Sequence, residues 1–140
     1  MHIGYNIKSA FKDLFYSVVK INYGSRAEDA SALATLTDGV SRVRARDGHH
    51  YYYFFVKDVK DCDVVRFLMR RNGLNPEFHM SNYYGVKMPA FRIKMLNVNS
   101  QPQIDFIKQI GANVRGNDVA AMARYIDTIR TQMKRPFKTK

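Results

Sequence analysis

The stretch Val40-Ser-Arg-Val-Arg-Ala-Arg-Asp47-Gly48-His-His-Tyr-Tyr-Tyr-Phe-Phe-Val56 decides the fold. Both arms carry the β-branched and aromatic residues that suit strands, and Asp-Gly between such runs is the strongest short signal for a tight hairpin turn. A two-residue turn at Asp47-Gly48 pairs Arg46 with His49, Arg44 with Tyr51 and Arg42 with Tyr53 on one face. Val43, Ala45, Tyr52 and Phe54 then fall on the other. One face is apolar; the other interleaves arginines with tyrosines.

Upstream, Ser25 and Glu28 have the spacing of a capping box, each side chain able to bond the other's backbone N–H. They predict a helix from 25 to about Asp38, with Gly39 as its left-handed stop. This helix is dense in small residues, among them Ala27, Ala30, Ser31, Ala32 and Ala34. Two readings stand. Small side chains let two backbones approach, so the helix can pack on a copy of itself through Ala27, Ala30, Ser31 and Ala34. Equally, alanine is simply a good helix former. Before it, Ile7, Ala10, Phe11, Leu14, Phe15, Val18 and Val19 recur at helical spacing over 7–22, and Asn22 to Gly24 break that stretch.

Downstream, Asp61 or Asp63 caps a helix with Val64, Val65, Leu68 and Met69 inward. Arg66, Arg70 and Arg71 lie outward or near its C-terminal end, and Gly73 stops it. A second hairpin follows, roughly Glu77–Tyr84 and Ala90–Leu96, joined through Gly85 and Pro89. Alternation turns Phe78, Met80, Phe91, Ile93 and Met95 inward, and His79, Ser81, Arg92 and Lys94 outward. Ser100 and Gln103 cap a fourth helix, with Ile104, Ile107 and Ile110 as its apolar side and Gly111 as stop. A last helix starts near Asn117, carries Val119, Met122, Ala123, Ile126 and Ile129, and ends at Pro136 before a basic tail.

The expected architecture is therefore α+β, with αββαββα order over 25–115. Two hairpins build one four-stranded antiparallel sheet with helices on its apolar face. An N-terminal helix (1–24), a C-terminal helix (116–135) and the tail (136–140) complete one domain over 1–140. The other sheet face presents Arg42, Arg44, Arg46, His49, Tyr51, Tyr53, His79, Ser81, Arg92 and Lys94, a basic and aromatic surface suited to nucleic acid. If helix 7–22 or 117–135 lies over that face instead, the tyrosines are core residues.

Composition bounds the rest. At 140 residues the chain has room for one hydrophobic core. Lys and Arg number 23 against 12 Asp and Glu, a net charge of +11, which favours a polyanionic partner through phosphate neutralisation; the alternative is a merely soluble basic surface. The apolar run from Tyr51 to Val56 is far too short to cross a bilayer, and the first residues lack the pattern of a signal peptide, so an intracellular protein with no membrane partner is expected. A single cysteine, Cys62, forms neither an internal disulfide nor a cysteine cluster for zinc. His49 and His50 are adjacent on a strand and face opposite sides, a poor metal pair. His79 with a nearby tyrosine could cleave RNA by acid–base chemistry, though nothing in the sequence fixes their geometry.

The succession αββαββα, with Ser31-Ala-Leu-Ala-Thr-Leu-Thr-Asp38-Gly39 closing the first helix, resembles the LAGLIDADG homing endonucleases. Asp61–Pro76, ending Arg-Arg-Asn-Gly-Leu-Asn-Pro, and Ala90–Gly111, a basic strand followed by Ile-Asp-Phe-Ile-Lys-Gln-Ile-Gly, have that family's texture as well. Leu33 stands where the family usually has glycine at the helix crossing. With one such motif, the resemblance implies a homodimer that pairs two copies of the 25–38 helix and brings two Asp38 carboxylates together over double-stranded DNA. It implies Mg²⁺ between them, with Asp38 as the catalytic metal ligand and Arg115 near the scissile phosphate. A bare reading of Asp38-Gly39 is an ordinary helix stop on the surface. The functional expectations are three: a Mg²⁺-dependent endonuclease cutting a pseudo-palindromic site, an inactive relative binding DNA or intron RNA as maturase or regulator, or a basic structural component of a ribonucleoprotein or phage particle.

Overall fold

The computed structural model describes residues 21–44, 50–95, 101–114, 116 and 118–138. The expected first helix up to residue 20, the Asp47-Gly48 turn, Arg46, His49, Ser100, Arg115 and Asn117 lie outside the described residues.

Helix α1 (Arg26–Leu36) starts where Ser25 accepts the Glu28 N–H at 3.2 Å, while the serine hydroxyl donates back to the Glu28 carboxylate at 3.1 Å. It ends two residues before Asp38. Thr37 is already extended (φ −124°, ψ 160°), and its hydroxyl donates to the Leu33 carbonyl at 2.7 Å, closing the last turn without a left-handed glycine. Asp38 therefore belongs to strand β1 (Thr37–Arg44), not to the helix end.

β1 pairs antiparallel with β2 (His50–Val56), β2 with β4 (Val86–Met95) and β4 with β3 (Pro76–Tyr83), giving the order β1-β2-β4-β3. The register of β1 departs from the expected one. Thr37 opposes Val56 and Asp38 opposes Phe55, but the next partner of Tyr53 is Ser41, so a bulge inserts one residue between Asp38 and Ser41. Because side chains alternate with period two, one extra residue exchanges the rows. Arg42 stands opposite Tyr52 and Arg44 opposite His50; Ser41 and Val43, not the arginines, stand opposite Tyr53 and Tyr51.

The second hairpin is tighter than expected. Tyr84 (φ 52°) and Gly85 (φ 82°) form a two-residue turn with both central residues left-handed, the turn whose twist matches paired strands. Pro89 lies inside β4, opposite Met80.

Between the hairpins, Asp58 accepts the Lys60 N–H at 3.2 Å and opens a short 3-10 turn (Val59–Asp61) that runs into α2 (Cys62–Arg71). Gly73 (φ 87°) ends α2 as expected. Helix α3 (Gln101–Ala112) carries Gly111 within it rather than after it, and α4 (Val119–Lys138) continues past Pro136.

One core cluster joins helices and sheet. Ala30, Leu33, Val65, Leu68, Phe106, Ile110 and Ile129 pack with Phe54, Val56, Phe91 and Ile93. All four strand residues belong to one face, since Phe54 opposes Phe91 and Tyr52 opposes Ile93. The helices therefore cover that face, as expected. Among the described residues no helix is long and apolar enough to cross a membrane.

Candidate nucleic-acid interface

The face turned from the core cluster is set by the register of β2, β4 and β3. Tyr51 opposes Lys94, Tyr53 opposes Arg92 and Phe55 opposes Ala90; on the next strand Glu77, His79, Ser81 and Tyr83 complete the rows. The sequence expectation grouped Tyr51, Tyr53, His79, Ser81, Arg92 and Lys94, and the strands bring these together. Phe55 and Tyr83 join them, a pair that alternation alone could have supplied.

The rings form a continuous series. Tyr51 and Tyr53 are edge to face at 6.3 Å, Tyr53 and Phe55 stack at 6.1 Å, Phe55 and Tyr83 meet at 4.6 Å, and Tyr83 and Tyr84 at 4.7 Å. His79 stands edge-on to Tyr53 at 6.2 Å, with its Nδ1 2.7 Å from the Ser81 hydroxyl. Burial, then the positive charges of Arg92 and Lys87, lower the His79 pKa below its ordinary value, so the ring is neutral at physiological pH. Arg92 is engaged within the fold: its guanidinium lies 4.3 Å over the Tyr51 ring and donates to Glu77 at 2.9 Å and to Tyr53 at 3.5 Å. Tyr51 beneath it is buried, whereas Tyr53, Phe55, Tyr83 and Lys94 are half-buried.

Asp38 is half-buried at the start of β1, opposite Phe55. Its charge contributes, after burial, to raising the pKa of Tyr83, so the carboxylate and the aromatic row share one neighbourhood. One chain places a single carboxylate here, and among the described residues no group of three or more His, Cys, Asp or Glu could hold a metal ion. A Mg²⁺ ion, which takes one or two carboxylates plus phosphate oxygens and water, would have to be completed by a second Asp38 or by the substrate.

The small residues of α1 divide between two roles. Ala30 is fully buried and Ala34 nearly so, against the chain's own core, as is Leu33 at the family's crossing position. Ala27 is exposed and Ser31 half-buried. Helix α1 packs against α3, α4, α2 and β1 at once, which accounts for its small side chains within a single copy.

A second cluster was not legible in the sequence. Asp29, 1% exposed, accepts from Arg71 Nε and Nη2, both at 2.7 Å, from Asn72 Nδ2 at 2.8 Å and from the Tyr125 hydroxyl at 2.6 Å. Burial works against the Arg71 charge, but the hydrogen bonds and charge of Asp29 outweigh it and raise the guanidinium pKa. Tyr125 is also raised, by burial and then by Asp29. A shallow cleft of about 210 Å³ lies beside this cluster, along 21–25. Its charged groups satisfy one another, which marks the cluster as a structural tie.

Comparison with protein-family models, curated proteins and solved structures finds no match to this chain.

Proposed function

We propose that this protein binds nucleic acid through the sheet face opposite its helices. The observation that carries the reading is the ring series Tyr53, Phe55, Tyr83 set on the outer side of a sheet in a chain of net charge +11. Phe55, half-buried, lies outside the core cluster, and a polyanion is the partner that such a charge attracts. Fluorescence anisotropy with labelled oligonucleotides tests the reading. Binding should weaken steeply with salt and with substitution at Phe55 or Lys94; retention of full affinity in both variants would move the contact elsewhere.

A second reading adds cleavage. Asp38 opens β1 opposite Phe55, so a phosphate held at that end of the ring series would meet a carboxylate. In this reading two copies supply two Asp38 side chains to Mg²⁺ on duplex DNA, as the resemblance to LAGLIDADG endonucleases implies. Mg²⁺ would supply an activated water and charge neutralisation at the scissile phosphate. Asp38→Asn should abolish Mg²⁺-dependent cutting of selected duplexes and leave binding unchanged; an uncut library with wild-type protein removes the cleavage reading and keeps the binding one.

A further inference from the structure

We infer that the ligand class of this face is single-stranded nucleic acid, whose unpaired bases stack on Phe55, Tyr53 and Tyr83; the inference rests on the nucleic-acid reading above. Duplex bases bury their faces against one another and offer edges to a protein, so recognising them takes side chains with donors and acceptors aimed outward. The described residues of this face are poor in such groups. Arg92 is held by Glu77, Tyr53 and the Tyr51 ring. His79 has its Nδ1 engaged by Ser81, leaving one ring nitrogen. What the face offers instead is ring surface, and unpaired bases present their own faces to aromatic side chains.

Charge selects this occupant over another protein face or a second copy. Lys94 stands opposite Tyr51 at the tyrosine end of the row, and Lys57 is exposed just past the end of β2. These cations lie around the rings rather than among them, suiting a phosphate backbone that tracks past while bases turn inward. A second copy would bring the same positive rim against itself.

The chain contains no tryptophan, so Phe55→Trp places one reporter in the row. Its emission is followed while adding an oligothymidylate of about twelve nucleotides, an abasic strand of the same length, or a duplex of that length. Anisotropy on the wild-type protein is measured in parallel. The expected result is quenching by the oligothymidylate and none by the abasic strand, with wild-type affinity for the former at least about tenfold higher. Phe55→Ala, checked by circular dichroism for an intact fold, should remove that margin and leave abasic binding unchanged. Equal affinity for abasic and base-bearing strands, or binding without quenching, overturns stacking while leaving nucleic-acid binding in place. Tighter binding to the duplex than to the single strand overturns the ligand class. No binding to any of the three overturns the nucleic-acid reading itself.

Discussion

The two ends of helix α1 carry two carboxylates with opposite fates. Near its start, Asp29 is sealed from water and saturated by Arg71, Asn72 and Tyr125. Just beyond its last residue, Asp38 sits half-buried on an outer sheet face beside aromatic rings. A buried ion pair is retained when every lone pair finds a donor, because one missing partner leaves a charge that the interior cannot solvate. The N-terminal end is therefore where the fold is held, and the C-terminal end leaves its carboxylate partly open to solvent. Substitutions should separate these ends sharply.

The largest effect belongs to Asp29→Ala, which strands Arg71 and should cost about 3–5 kcal/mol, lowering Tm by about 10 °C or more. Cys62 gives a second readout. It is buried, and burial with the Asp63 charge pushes its thiol up to about 12, so a thiol reagent should label it only as the fold opens, and faster in this variant. Gly24→Ala comes next. Gly24 has φ +92°, and a Cβ there would stand 1.9 Å from the Tyr125 hydroxyl and 3.0 Å from Arg71 Nη2. A loss of about 2–3 kcal/mol in denaturant unfolding is expected; an unchanged midpoint would show that the tie tolerates displacement. Tyr125→Phe removes one donor to Asp29 and should cost about 1.5 kcal/mol by the same measurement.

At the other end the effects on stability should be small. His79 is held below its ordinary pKa, so the unfolded chain binds more protons than the folded one in the interval between the two values. Its contribution is complete above about pH 6.5 and is lost as pH falls through the folded value. His79→Gln should flatten that part of the stability–pH curve. Asp38→Asn should shift stability by no more than about 0.5 kcal/mol, and a larger loss would class Asp38 with Asp29.

Local pattern made the hairpins and the central helix readable. The alternation Phe78, Phe91, Ile93 and the stripe Val64, Val65, Leu68 report on neighbours close in sequence, and the structure places them as read; the Asp47-Gly48 turn lies outside the described residues. Two features that bear on the site and its support were not readable. The bulge after Asp38 leaves no composition signal, yet it exchanges the rows of β1, so Arg42 and Arg44 were assigned opposite Tyr53 and Tyr51. The Asp29 tie joins residues 42 and 96 positions apart, and Arg71 alone looks like a solvated cation at a helix end. The one available hint was an aspartate flanked by Ala30, Leu33 and Ala32, residues that place its side of the helix indoors.

Pro89 has a consequence for the extent of the sheet. β2 accompanies β4 only from Ala90 onward, so Val86 to Pro89 form a ribbon with β3 that overhangs the sheet, tipped by Tyr84 at 91% exposure. In a two-residue hairpin the flanking pair, Tyr83 and Val86, is hydrogen-bonded, and counting back makes Met80–Pro89 a pair without such bonds. The proline's absent N–H thus falls on the β2 side, beside the position where Val56 would be next in register after Phe55 and Ala90, and the β2–β4 ladder stops there. One missing donor therefore sets where the three-strand sheet ends and the free β3–β4 ribbon begins.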